Sequence, residues 1–200
     1  WAVTLAADDT TLIAGNDLTD MDAETLSILT NPEVIALDQD PLGLQGVPRW
    51  ESGDLSVWAK PLNASGARGV ILLNAGDVTQ SITARWSDIG LRSGNATVRD
   101  LWAHQDLGPY ADAFTTSVAP HEAVTLRIDG TEPEIPSGTT TLRQLVPTYA
   151  ANGLGQVALD AEPVRLGGAD QDDVIGVTAP SRILFRTGQR CTYLTALAGL

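Results

Sequence analysis

Apolar and polar positions alternate through the middle of this chain and fall into helical stripes only near its start. In Asp54-Leu-Ser-Val-Trp-Ala59, Leu55, Val57 and Ala59 share one face, and Ile82, Ala84 and Trp86 repeat the alternation. Ala96–Trp102 and Ala123–Ile128 are further β-branched and apolar runs, while Val70-Ile-Leu-Leu73 is unbroken and suits a strand covered on both sides. Turn residues stand between them, at Asn63–Gly66, Asn74–Asp77, Arg92–Asn95 and Leu107-Gly-Pro109. Several short strands at this spacing predict an antiparallel β-sandwich over residues 49–130.

The flanks read differently. Trp1–Ala7 suits the end of a helix, and Thr10–Ala14, closed by Gly15, suits a buried parallel strand. Asp20 is placed to cap a helix over Met21–Leu29, with Met21, Thr25, Ile28 and Leu29 on one stripe. Asn31-Pro32-Glu33 marks a second helix start, with Asn as cap, Pro in the first turn and an acid beside it. So residues 1–48 read as the tail of an α/β unit. Residues 131–139 have linker composition. Residues 140–200 return to β patterning, at Val164–Leu166, Val174–Val177, Ile183–Phe185 and Tyr193–Ala198. The last run reaches the C-terminus without a closing turn. The first residue is Trp1 and the single methionine is Met21. Both features are expected of a piece of a longer protein.

Composition narrows the classes. The 200 residues are 43% hydrophobic, with 19 Gly and 11 Pro, which fits one or two globular units rich in turns. The net charge of −13 is uneven. Residues 1–48 carry nine acids and no Lys or Arg, residues 49–130 nine acids and seven bases, and residues 131–200 seven acids and five bases. An acidic surface argues against nucleic acid and anionic membranes as partners. The uncompensated first segment is expected to meet its basic partners elsewhere. Cys191 is alone, so an intrachain disulfide and a Cys-based metal site are excluded. His104 and His121 lack neighbours at ligand spacing and read as loop histidines, and no metal or organic cofactor is expected. Trp50, Trp58, Trp86 and Trp102 could form a sugar platform, but packing is the expected use. Asn63 and Asn95 head Asn-x-Ser/Thr sequences in predicted turns, which a eukaryotic secretory route could glycosylate.

Several runs then carry a resemblance. Leu12-Ile-Ala-Gly-Asn-Asp-Leu18, Met21–Leu26, Asn31–Ala36 and Asp38-Gln-Asp-Pro-Leu-Gly-Leu-Gln-Gly46 resemble the α-galactosidase family of retaining glycoside hydrolases, in order and spacing. Gly53–Leu62, Val70–Asn74, Trp86 with Ile89–Leu91, and Val98–His104 continue it, so residues 1–128 are covered almost throughout. The resemblance implies a mainly β chain. The last strand and helices of a (β/α)8 barrel (1–48) precede an antiparallel Greek-key β-sandwich (49–130), with Gly53–Leu62 as its first strand. Ala6–Thr10 departs from the Pro-containing apolar run usual in the family at this place. Residues 140–200 are similar to part of a second, jelly-roll-like sandwich, the NPCBM-type carbohydrate-binding module. The similarity rests on Asn152–Val157, Asp160, Val164–Gly167, Ile175–Val177 and Ala179–Arg182. Thr178 stands where that module often has His.

Family members use two carboxylates about 5 Å apart, a nucleophile and an acid/base. The resemblance puts both upstream of Trp1, so neither role passes to an acid of this chain. It implies a parent that is secreted and takes galactose-containing oligosaccharides or polysaccharides. A β-L-arabinopyranosidase of the same family and a non-enzymatic carbohydrate-binding or structural module are the alternatives. Asp17 falls just beyond the last barrel strand, next to the implied substrate pocket. A hydrogen bond to its own loop is the expected role for it. Asp38 and Asp40 are expected to be structural. The chain by itself is expected to be catalytically inactive, and residues 1–48 are not expected to fold alone.

Overall fold

A computed structural model describes residues 17, 19–154, 157–159, 161–196 and 198. The expected helix over 1–7 and strand over 10–14 lie outside the described residues. The chain separates into two compact units, one ending at Glu132 and the other beginning at Pro133.

In the first unit, two seven-residue helices precede eight strands. Helix α1 spans Ala23–Leu29 and α2 spans Pro32–Asp38. The strands are β1 (Val47–Ser52), β2 (Leu55–Pro61), β3 (Ala67–Asn74), β4 (Gln80–Arg85), β5 (Asn95–Asp100), β6 (Gln105–Ala111), β7 (Ala113–Val118) and β8 (Ala123–Asp129). Six of them form one antiparallel sheet in the order β1-β2-β3-β8-β5-β6, and β4 pairs with β7 to form the other. The chain crosses between these layers after β3, β4, β6 and β7, which makes a sandwich. Mainly β, antiparallel and two-layered, it is the fold that the alternation predicts.

The alternation seals the space between the layers. Val57, Val70, Leu72, Val98, Leu126 and Ile128 of the large sheet meet Ile82, Ala84, Phe114 and Val118 of the small one. Each large apolar side chain buried there contributes about 1.5–3 kcal/mol. Trp86 closes one end, 1% exposed, and its indole N–H donates to the Gly94 carbonyl at 2.9 Å. Tyr110 and Phe114 meet edge to face, 4.9 Å between centroids. Asn74 is buried at the other end. Its amide donates to the carbonyls of Val78, Val118 and Ala119, pinning the β3–β4 and β7–β8 connections together.

The exit from β8 is locked. Arg68, fully buried, pairs with Glu132 at 2.8 Å and donates to the carbonyls of Ile89 and Gly90. Gly66 (φ +76°) must be glycine, because a Cβ there would collide with the Gly130 carbonyl oxygen.

Several local expectations change. The helix cap is Asp22 rather than Asp20, since the Asp22 carboxylate accepts from the Thr25 amide at 2.6 Å. The first strand of the sandwich is β1, starting at Val47, ahead of the Leu55–Pro61 strand. Leu107-Gly-Pro109 is strand β6 rather than a turn. Pro109 is tolerated because β6 is an edge of its sheet, as is β1 with Pro48.

The second unit has a 3-10 turn at Leu142–Gln144 and four three-residue strands. These are β9 (Tyr149–Ala151), β10 (Val164–Leu166), β11 (Ala169–Gln171) and β12 (Arg182–Leu184), paired β9–β12 and β10–β11. Gly167 and Gly168, both at positive φ, turn the β10–β11 hairpin. Val174–Val177 is no strand: its Gly176 makes one isolated bridge to Ala158. Residues 193–196 carry no strand either, and Leu154, Tyr193 and Leu194 are exposed. Among the described residues no helix is long and apolar enough to cross a membrane.

Candidate functional site

The outer face of the six-stranded sheet, turned away from the small sheet, carries the other notable chemistry of the first unit. Helix α2 lies on it. The Asn31 side chain caps α2 by accepting from the amides of Glu33 and Val34. Its own amide donates to the Leu101 carbonyl at 2.9 Å, so one buried side chain both starts the helix and ties it to the sheet. Val34 and Leu37 then pack with Leu62, Ala67, Ile71 and Leu101, flanked by half-buried Trp58 and Trp102. Trp102 donates to the Thr125 hydroxyl at 3.1 Å. These tryptophans pack rather than form an exposed platform; Trp50, on the edge strand, is 37% exposed.

Charge completes the attachment. The Arg99 guanidinium grips Glu33 of α2 with two bonds, Nε to Oε2 at 2.6 Å and Nη2 to Oε1 at 2.8 Å. His104 Nδ1 lies 2.7 Å from the same carboxylate, and Arg99 Nη1 donates to Asp106 at 2.8 Å. The bond from Arg99 is the main reason that the Glu33 carboxyl drops to about 2. Partial burial opposes this and His104 reinforces it. The Arg99 guanidinium is held protonated by Glu33 and then Asp106. Arg127 pairs with Asp129 on the neighbouring strand position at 2.9 Å.

Between α2 and the sheet lies a cleft of about 550 Å³. One wall is apolar, from Ala36, Leu37, Leu62 and Leu101. The other is polar, from Thr97, Arg99, Asp106, Arg127 and Asp129. Helical and strand periods set these residues on their faces, but Glu33 and its partner Arg99 are 66 positions apart in the chain. In the sequence, Glu33 is therefore only a favourable charge at a helix start, and nothing singles out Arg99 or Arg127.

The expected site residue, Asp17, does not line this cleft. It is exposed, and its Oδ1 accepts from the Thr19 amide at 2.8 Å and the Thr19 hydroxyl at 2.7 Å, which lowers its pKa. Asp40 accepts from the Leu42 and Asn63 amides and joins α2's exit to the β2–β3 turn. His104 and His121 occupy left-handed turn positions, and His121 lies 3.1 Å from Asp77. Cys191 is exposed and free.

This geometry, two antiparallel layers with a helix docked on the larger one, defines an antiparallel β-sandwich. Residues 52–128 match the family model described as the alpha galactosidase C-terminal beta sandwich domain. The homologues are α-galactosidases. The chain is 43% identical over 122 residues to alpha-galactosidase 2 of Arabidopsis thaliana, covering 60% of this chain and 30% of that one. It is 43% identical over 125 residues to the alpha-galactosidase of Coffea arabica, covering 62% and 32%. Among solved structures, alpha-galactosidase I from Mortierella vinacea superposes with a TM-score of 0.60 at 34% identity, covering 66% of this chain and 35% of that chain. A β-L-arabinopyranosidase from Geobacillus stearothermophilus gives 0.52 at 26% identity, covering 61% and 26%. The chain thus spans about a third of the length of the curated relatives it matches.

Proposed function

We propose that this chain is the non-catalytic C-terminal portion of a secreted α-galactosidase-type glycoside hydrolase. The parent would remove terminal α-galactosyl groups from oligosaccharides or polysaccharides with retention, without metal or organic cofactor. The observation that carries this reading is the match of residues 52–128 to a domain that ends such enzymes, joined to relatives 43% identical that bear the name α-galactosidase. In this reading, α1 and α2 close the catalytic barrel's last segment, and Asp17 shapes the turn beside the substrate pocket. The Thr19 bonds support a positioning role for Asp17 over a reacting one.

A β-L-arabinopyranosidase parent is the second reading, since one such enzyme shares the fold. The higher identity and TM-score of the Mortierella enzyme favour the galactoside. Residues 140–200 would serve as a carbohydrate-binding module. Calorimetric titration with galactose-containing oligosaccharides is expected to give saturable heat from that unit, and no heat would leave it a structural appendage.

The purified 200-residue chain, given a chromogenic α-galactoside, is expected to show no turnover above a heat-inactivated control. Turnover would contradict the non-catalytic assignment.

A further inference from the structure

The cleft under α2 has a polar wall built in an unusual way. Strands β5 and β8 pair with Thr97 opposite Asp129 and Arg99 opposite Arg127. Two like charges directly opposite destabilise a strand pair. Here carboxylates from three directions offset them: Glu33 from α2, Asp106 from β6 and Asp129 from β8 itself. The result is a floor of alternating donors and acceptors in which the carboxylates slightly outweigh the guanidinium groups. Arg127 spends Nε and Nη2 on Asp129, and among the described residues its Nη1 has no hydrogen-bond partner. The Thr97 hydroxyl is likewise uncommitted, and Asp106 accepts through Oδ1 only. Ala36, Leu37, Leu62 and Leu101 add apolar side chains to the lining.

We propose that this cleft binds a neutral polyhydroxylated ring, a hexopyranose. The volume of about 550 Å³ lies within the range of small-molecule clefts, about 300–1,000 Å³. A sugar ring has one C–H face for the apolar wall, and vicinal hydroxyls that both donate and accept for the floor. Its hydroxyls can give protons to Asp129 and Asp106 while taking them from Arg127 Nη1 and Thr97. An anion would compete with three carboxylates for guanidinium groups already paired, and a cation would have to displace them. A neutral guest brings no charge that must be desolvated. This inference does not rest on the parent being a galactosidase: hexose binding is read on this chain, hydrolysis on the parent.

The test is a titration of the full 200-residue chain, followed by amide NMR, with methyl α-D-galactopyranoside, D-glucose and, as a charged control, inorganic phosphate. Saturable shifts are expected at residues 97–99, 106–108 and 127–129 with at least one of the two hexose probes, with a Kd of about 1 mM. Thr97→Val is expected to weaken binding about tenfold with the thermal midpoint unchanged, and Asp129→Asn to weaken it by a similar factor while lowering the midpoint. Thr97 is exposed, so its variant keeps the test valid if Asp129→Asn fails to fold. No saturable shift with either hexose would overturn the proposal. So would shifts confined to residues 140–196, phosphate binding more tightly than both sugars, or wild-type affinity in a folded Thr97→Val.

Discussion

The two faces of the six-stranded sheet are held in different ways. The inner face is closed by the β4–β7 layer, and its large side chains, among them Val57, Val70, Leu72, Leu126 and Ile128, are entirely out of water. The outer face is covered by one seven-residue helix, half-buried tryptophans and a cleft whose polar wall is made of ion pairs. An alternating strand needs only a second layer to satisfy its inner positions. Its outer positions need a specific partner, and here that partner is fixed by directional bonds from Asn31 and Glu33 more than by area. The inner face therefore stabilises the unit, and the outer face connects it to what lies before it in the chain.

The largest expected effect is on the inner face. Trp86→Ala leaves a cavity and removes the indole bond to the Gly94 carbonyl, and is expected to cost about 3–5 kcal/mol in urea unfolding of the first unit. Loss of less than about 1 kcal/mol would mean that the inner core is not the main source of stability. On the outer face, Asn31→Ala removes a helix cap and a buried bond to Leu101, and is expected to cost about 1–2 kcal/mol. Hydrogen exchange should accelerate in α2 while β3 and β8 keep their protection. Equal acceleration everywhere would erase the distinction between the faces.

Acid sharpens the comparison further. The Glu33 carboxyl lies at about 2 in the folded chain against an ordinary 4.5. A depressed carboxyl stabilises the fold fully above its unfolded value, and that contribution is lost as pH falls through the folded one. Helix α2 should therefore loosen between about pH 4.5 and 2, ahead of the inner core, as read by exchange at α2 amides. Glu33→Gln should loosen α2 at neutral pH and flatten this acid dependence. An unchanged acid profile in that variant would remove Glu33 from the account. The smallest effect is expected at Asp22→Ala. It unwinds α1, which has no buried residue, without moving the unfolding midpoint of the sandwich.

The inner face was legible in the sequence because burial there follows a period of two. Ile82, Ala84 and Trp86 stand in alternation and are all buried. The cap at Asn31-Pro32-Glu33 was equally legible, being local chemistry. Strand β6 was not, because Gly108 and Pro109 signal a turn unless the strand is known to lie at an edge. Three-residue strands such as β9 are too short to show a period at all. The cleft was the least legible part. Arg99, Asp106, Arg127 and Asp129 read as ordinary surface charges until the β8-β5-β6 order sets them side by side.

In the proposed parent, this sandwich completes an α-galactosidase-type barrel. A chimera tests it most directly: the Coffea arabica α-galactosidase with its own C-terminal sandwich replaced by residues 47–132 of this chain. A folded chimera is expected to hydrolyse a chromogenic α-galactoside and to lose activity when Trp86→Ala unfolds the sandwich. A chimera that folds, with the barrel intact, yet shows no hydrolysis would contradict it.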